Sequence, residues 1–372
     1  MQGPLLRTLP WNAALLTVWD GSRSFECALP VWCHNAITFQ ALTGLQPIVL
    51  SPNRSAECLG ATFVWPTVAH AISRAAAAYM QRLSHEQPTR ATQARVAADL
   101  LKWLTFALEF DFILFCDLDI DLNLPHSRKQ RKPWLKGWAA ATSAFMASPS
   151  TLFVGYPDFS APCNSGLFLA KPRRWIVREA LDALHRVNWS AAEGFDRVGS
   201  PRQVVDGGRA LISRLAAGHG AGSHHAVRLL LKGTAFYRLN SWTFVGGQRT
   251  QGLLWYLIFL RHGVGTYASR GGGHDSSWAA EHYWGSGQKP WRWGTARRNP
   301  TLAAAYLRRI HPISAPLSRC MRQLDNMARW LINHSAWDVP RRTGQPDDAA
   351  AHARRTPVLP SVGLLNTFNA FV

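Results

Sequence analysis

The sequence predicts an α/β protein with a mostly parallel sheet flanked by helices, and three observations predict it. Short apolar runs of strand length alternate with longer, helix-length stretches. One run, Phe112-Ile113-Leu114-Phe115-Cys116, is apolar at every position, as a buried strand is. It then enters carboxylates at every second position, Asp117, Asp119 and Asp121, at the strand end where ligands of such sheets sit. With 372 residues, 47% of them hydrophobic, the chain is long enough for one large α/β domain or two modest ones.

Taken in order, residues 13–19 (AALLTVW) and 45–51 (LQPIVLS) read as buried strands, with 27–42 supplying a crossover helix. Residues 67–83 and 91–110 read as helices. In the second, Val96, Leu100, Leu104 and Leu108 recur every four residues, while Arg95, Asp99 and Lys102 fall off that stripe. Residues 151–156 and 166–170 predict strands, and 172–187 a helix. The stretch 194–225 is rich in Gly, Arg and His and reads as an irregular insertion, whereas 253–260 is apolar and aromatic and belongs to a core. Beyond Pro300 the periodicity weakens, and 340–360 reads as a disordered tail. The expected organisation is one domain over 10–300, interrupted at about 194–240, and a partly helical, then disordered extension over 301–372.

A net charge of +19, from 41 Lys+Arg against 22 Asp+Glu, suits anionic partners or an arginine-biased solvated surface. No nucleic-acid module and no basic stripe interleaved with aromatics is visible, so nucleic acid is not expected. Six cysteines without a Cys-x-x-Cys pair argue against a structural zinc site and permit disulfides. Asn53, Asn188 and Asn333 each open an N-glycosylation acceptor triplet. No run of about 18 apolar residues marks a membrane span, and the start lacks the signature of a signal peptide. The expectation is a cytoplasmic protein, or a Golgi lumenal one whose membrane association would come only through an anchor outside this chain.

The chemistry concentrates in three segments. In an extended strand Asp117 and Asp119 share a face, and paired hard oxygens suit magnesium or manganese, commonly shared with substrate phosphates. Asn164-Ser165-Gly166 places an amide and exposed backbone at a turn before an apolar strand. The segment from Glu281 to Trp291 (EHYWGSGQKPW) sets an imidazole and an ammonium about a glycine loop that could clamp a diphosphate. Trp291 and Trp293 are candidates for stacking on sugar rings.

Together these segments resemble the retaining nucleotide-sugar glycosyltransferases of the GT-A fold, in particular glycosyltransferase family 8, which includes the glycogenins and plant glucuronosyltransferases. The resemblance spans about residues 10–295 and rests on motif order. Asp117-x-Asp119 looks like the family's metal site, Asn164-Ser165-Gly166 is similar to its sugar-binding turn, Gln251-Gly252 resembles its Asp-Gln-Gly segment, and His282 to Trp291 is similar to its His-x-x-Gly-x-x-Lys-Pro-Trp ending. The resemblance implies a GT-A fold and a metal-dependent transfer of a hexosyl or related sugar from a UDP-sugar to a hydroxyl of a glycan or glycoprotein, with retention of configuration.

By the same resemblance Asp117, Asp119 and His282 would ligate Mn2+, with Mg2+ as the alternative. Gly285, Gly287 and Lys289 would bind the diphosphate, Ser165 and Gly166 would contact substrate, Asn164 and Gln251 would act around the transferred sugar as catalytic residues, and Thr17 would border the uracil ring. The chain departs from the pattern in four places. The Gly285–Lys289 loop is one residue longer, Thr250 replaces the aspartate before glutamine, Lys102 sits one position off the family's lysine, and Asn164 lies unusually far from Gln251. A degenerate glycosyltransferase that binds sugar or nucleotide without turnover is the alternative reading, beside a basic nucleic-acid-binding protein.

Overall fold

The computed structural model describes residues 10–21, 27–55, 58, 60–83, 96–122, 124, 128–155, 163–190, 194–196, 249–267, 280–282, 290–310 and 319–333. In chain order the first elements are β1 (Ala13–Val18), α1 (Leu29–Thr43), β2 (Gln46–Leu50), β3 (Thr62–Val64) and α2 (Val68–Arg82). A helical turn over 96–100 tightens into a 3₁₀ helix, Leu101–Ala107. There follow β4 (Phe112–Cys116), β5 (Ile120–Leu122), α3 (Arg128–Ala147), β6 (Phe153–Gly155), β7 (Leu167–Ala170) and α4 (Arg174–Arg186). A two-residue pairing, β8 (Trp189–Ser190) with β9 (Gly194–Phe195), precedes α5 (Thr250–Leu254), a π-helical continuation Trp255–Arg261, β10 (Gly265–Tyr267) and β11 (Ala280–His282). The chain closes with α6 (Trp293–Arg298), α7 (Pro300–Ile310) and α8 (Arg319–Asn333).

The described strands form a seven-stranded sheet in the order β10-β6-β7-β4-β1-β2-β3. Only β7 runs against its neighbours, pairing antiparallel with both β4 and β6; the other pairings are parallel. The sheet is therefore mixed and mostly parallel, the class the alternation of elements implies. Strand parity divides its side chains between two cores. Leu15, Val49, Phe112, Leu114 and Leu169 face α1, α3 and α6 to α8, while Leu16, Ile48, Ile113, Phe115 and Phe168 face α2, the 3₁₀ helix, α4 and α5. Covering both faces is what allows β4 to be apolar at all five positions.

Local signals fix the helix ends. α1 starts at a proline in its first turn and stops at Gly44, whose left-handed φ of +80° lets its N–H reach the Gln40 carbonyl at 2.7 Å. α4 buries Ile176, Val177, Ala180, Ala183 and Leu184, one face at helical spacing. A disulfide joins Cys33 of α1 to Cys58, and Cys116 and Cys163 are buried. The sequon asparagines Asn53, Asn188 and Asn333 are all exposed.

Several expectations need correction. The segment around Asp99 and Lys102 is not a plain amphipathic helix with those charges on its solvent side: its second half is 3₁₀, and Lys102 is buried. The extension beyond Pro300, expected to be partly helical, contributes two helices whose Tyr306, Leu307, Leu324, Met327 and Leu331 belong to the same core as α1 and α3. Trp291 is also core. It lies against Tyr306 at 5.7 Å and its carbonyl accepts from Gln323, so it is not a platform for sugar. The predicted tail at 340–360 and nearly all of the predicted insertion lie outside the described residues.

Candidate functional site

The site grows from the end of β4. Asp117 follows the buried strand on the parity of Ile113 and Phe115, which directs it toward the 3₁₀ helix. From there Lys102 reaches back, its Nζ donating to Asp117 Oδ2 at 2.7 Å. The same ammonium pairs with Asp99 at 3.0 Å and donates to Ser165 Oγ at 3.3 Å. One buried cation thus ties the helical segment, the β4 end and the turn before β7.

That turn is tightly built. Asn164 and Ser165 are buried, and Asn164 Oδ1 accepts the Gly166 N–H at 2.6 Å. The Gly166 carbonyl in turn accepts the Asp117 N–H at 2.7 Å, extending the β4–β7 ladder by one bond. A Cβ at Gly166 would lie 3.0 Å from Asn164 Oδ1 and 3.1 Å from Asp117 Oδ2, so the missing side chain is what lets the two approach. Asp119 is half-buried in the turn after Asp117, closed by the Ile120 N–H to Asp117 carbonyl bond at 3.1 Å.

Asp99 carries the network onward. Its carboxylate accepts the Thr250 N–H at 3.0 Å at the start of α5, and its own carbonyl accepts from the Thr250 hydroxyl at 2.7 Å. Gln251 is the next residue of that helix. A carboxylate at a helix start is favourable in its own right. Thr250 thus receives a carboxylate from a distant segment.

Electrostatics follow from this geometry. Burial pushes the Asp99 carboxyl up, but Lys102, Arg249 and the Thr250 N–H outweigh it and hold its pKa below the usual value. Burial works against the Lys102 ammonium, yet Asp117 and Asp99 raise its pKa well above that of a free lysine. Asp117 goes the other way. Desolvation pushes its pKa up to about 6, against the pull of Lys102 and with added repulsion from Asp119.

Of the residues singled out in the sequence, the structure assembles Asp117, Asn164, Ser165 and Gly166 in direct contact, and joins Gln251 to them through Thr250, Asp99 and Lys102. Thr17 is wholly buried on β1 opposite Val49, its hydroxyl without a hydrogen-bond partner among the described residues. Of His282 the structure describes the backbone: β11 runs antiparallel to β5 and sets it opposite Ile120, adjacent to Asp119. Gly285, Gly287 and Lys289 lie outside the described residues. Among the described residues no cluster of three His, Cys, Asp or Glu side chains forms a metal site. The sequence reading left Asp99 and Lys102 without a role. Their signal was one acid and one base three residues apart inside an otherwise apolar segment.

Fold and site together define an α/β protein with a carboxylate–lysine–amide cluster at the carboxyl edge of its central strand. No family model and no curated protein matches the chain. Among solved structures, apo mouse xyloside xylosyltransferase 1 is similar at 12% identity and a TM-score of 0.27, over 46% of this chain and 76% of that one. A likeness of that extent carries no argument about activity, which rests on the cluster itself.

Proposed function

We propose that this protein is a metal-dependent, retaining glycosyltransferase of GT-A type, resembling family 8, that moves a sugar from a UDP-sugar to a hydroxyl acceptor. The observation that carries the reading is the convergence of Asp117, at the end of the central strand, with the buried Asn164-Ser165-Gly166 turn. Two carboxylates whose mutual repulsion helps to raise the Asp117 pKa are a donor set suited to a hard divalent cation.

Asp117 and Asp119 would hold Mn2+ or Mg2+, with His282 as a third ligand on the neighbouring strand. The bound cation would supply Lewis-acid compensation of charge on the departing nucleoside diphosphate. Lys102 keeps Asp117 oriented through one carboxylate oxygen. The Asn164 side-chain NH2 is assigned to the sugar, and Asp99 fixes the start of α5, the helix that carries Gln251. Lys289, Gly285 and Gly287 are assigned to the diphosphate. No carboxylate is assigned as a covalent nucleophile, so retention is ascribed to attack on the face the leaving group departs from.

The test is UDP release from a panel of UDP-sugars, with and without Mn2+, in the wild type and in Asp117→Ala/Asp119→Ala. Manganese-dependent release with one donor, lost in the double variant, is expected. UDP binding without turnover of any donor would instead favour the degenerate reading, and release that survives the double substitution would refute the metal assignment.

A further inference from the structure

We infer that the lysine face of α3 binds an acidic polysaccharide and thereby defines the acceptor as an anionic glycan; this rests on the glycosyltransferase reading above. α3 buries Trp134, Trp138, Ala141 and Phe145 against the core. On the opposite side Lys129, Lys132 and Lys136 are exposed at spacings of three and four, a single face. Arg131 is exposed beside them.

This arrangement runs against local electrostatics. Arg128, Lys129, Arg131 and Lys132 crowd the start of a helix whose first turn holds no acid, where the helix dipole is itself positive. Like charges three and four residues apart on a helix repel one another. Among the described residues none of Lys129, Arg131, Lys132 and Lys136 forms an ion pair. No described acidic side chain compensates these charges.

Topology puts the start of α3 at the same edge of the sheet as the cluster, on the face opposite the 3₁₀ helix. β6 is parallel to β4 because both pair antiparallel with β7, and α3 is the helix between them in sequence. α3 therefore runs back along the sheet. It starts at the carboxyl edge, where Asp117 and Asp119 lie, and ends at the opposite edge, where Lys171 donates to the Ser148 carbonyl at 2.5 Å just beyond it. The lysine row leads away from the cluster along about 10 Å of helix, from Lys129 to Lys136.

The shape and chemistry of the row select the partner. A narrow line of ammonium groups fits one extended polyanion. Bases would need aromatic faces to stack on, and the two α3 tryptophans point into the core. A bilayer would need exposed apolar anchors, and the only large exposed hydrophobic residues described, Ile37 and Ile332, are not on α3. A uronate- or sulfate-bearing glycan needs neither.

The experiment titrates the full chain by calorimetry, near physiological ionic strength, with an oligoglucuronate, an uncharged maltooligosaccharide of equal length, phosphatidylserine vesicles and a thymidine oligonucleotide. It compares the wild type with Lys129→Gln/Lys132→Gln/Lys136→Gln and with a charge-matched control, Arg54→Gln/Arg74→Gln/Arg178→Gln. The oligoglucuronate is expected to bind the wild type in preference to the other three probes. The lysine variant should weaken it by about eightfold, three exposed contacts each worth roughly a factor of two, and the control should not. Equal loss in both variants, no binding of the oligoglucuronate, or tighter binding of vesicles or oligonucleotide would overturn the inference. UDP affinity of the wild type, measured in parallel, separates the two readings: UDP binding without oligoglucuronate binding sinks only the acceptor assignment, whereas oligoglucuronate binding without UDP binding sinks the donor assignment and leaves polyanion binding with no acceptor role.

Discussion

Lys102 is the residue on which the cluster depends most. It sits between two carboxylates, at 3.0 Å from Asp99 and 2.7 Å from Asp117. Removing one member of such a group leaves the others buried and uncompensated, at a cost of about 3 kcal/mol. Lys102→Met is thus expected to lower the urea midpoint accordingly, and adding Asp117→Asn to recover part of the loss; a shift too small to measure would show that water already compensates both acids. Asp117 makes a pH-dependent prediction. Its pKa is raised to about 6 in the folded chain, above an ordinary value of 3.8. The fold therefore binds this proton more tightly than the unfolded chain, and the penalty is absent below about pH 4, grows to about pH 6 and is constant above. With chelator present, the wild type should lose stability relative to Asp117→Asn as pH rises across that window, by about 2 kcal/mol after allowance for partial exposure. Parallel melting curves at each pH would contradict it.

At the scale of elements, what was legible was whatever carried contrast. Five apolar residues running into alternate carboxylates marked β4 and its end, and Asn164-Ser165-Gly166 before an apolar run marked the turn before β7. Asp99 and Lys102 were hidden because they fall off a four-residue apolar stripe and so read as solvent-facing. Three residues apart on this helical segment, acid and base are close enough to pair and be buried together. α7 was faint for a different reason: Ala303, Ala304 and Ala305 offer little difference between a buried and an exposed face. The Cys33–Cys58 bridge also belongs here. It closes a separation of 25 residues between α1 and the segment leading to β3. In the chain-entropy account that contributes about 3 kcal/mol. Cys33→Ser/Cys58→Ser is expected to unfold at correspondingly lower denaturant, and an unchanged midpoint would mean packing alone holds α1.

Across the whole molecule, the mostly parallel sheet follows from the alternation of elements, but the reversed direction of β7 does not. Direction is decided by which neighbour a strand meets, and a run of four apolar residues holds no record of that. The inversion has a consequence for how such a protein can change. Since β4 leaves the sheet where β7 enters it, the two halves of the cluster are adjoining ends of paired strands, locked by the Asp117–Gly166 bond although 49 residues separate them in sequence (166 − 117). The excursion between them, α3 included, starts and finishes at fixed posts. Its outward face can be rewritten, lysine by lysine, while the paired strand ends that hold Asp117 and the Asn164–Gly166 turn stay where they are, so the surface of the scaffold can diverge without disturbing its cluster.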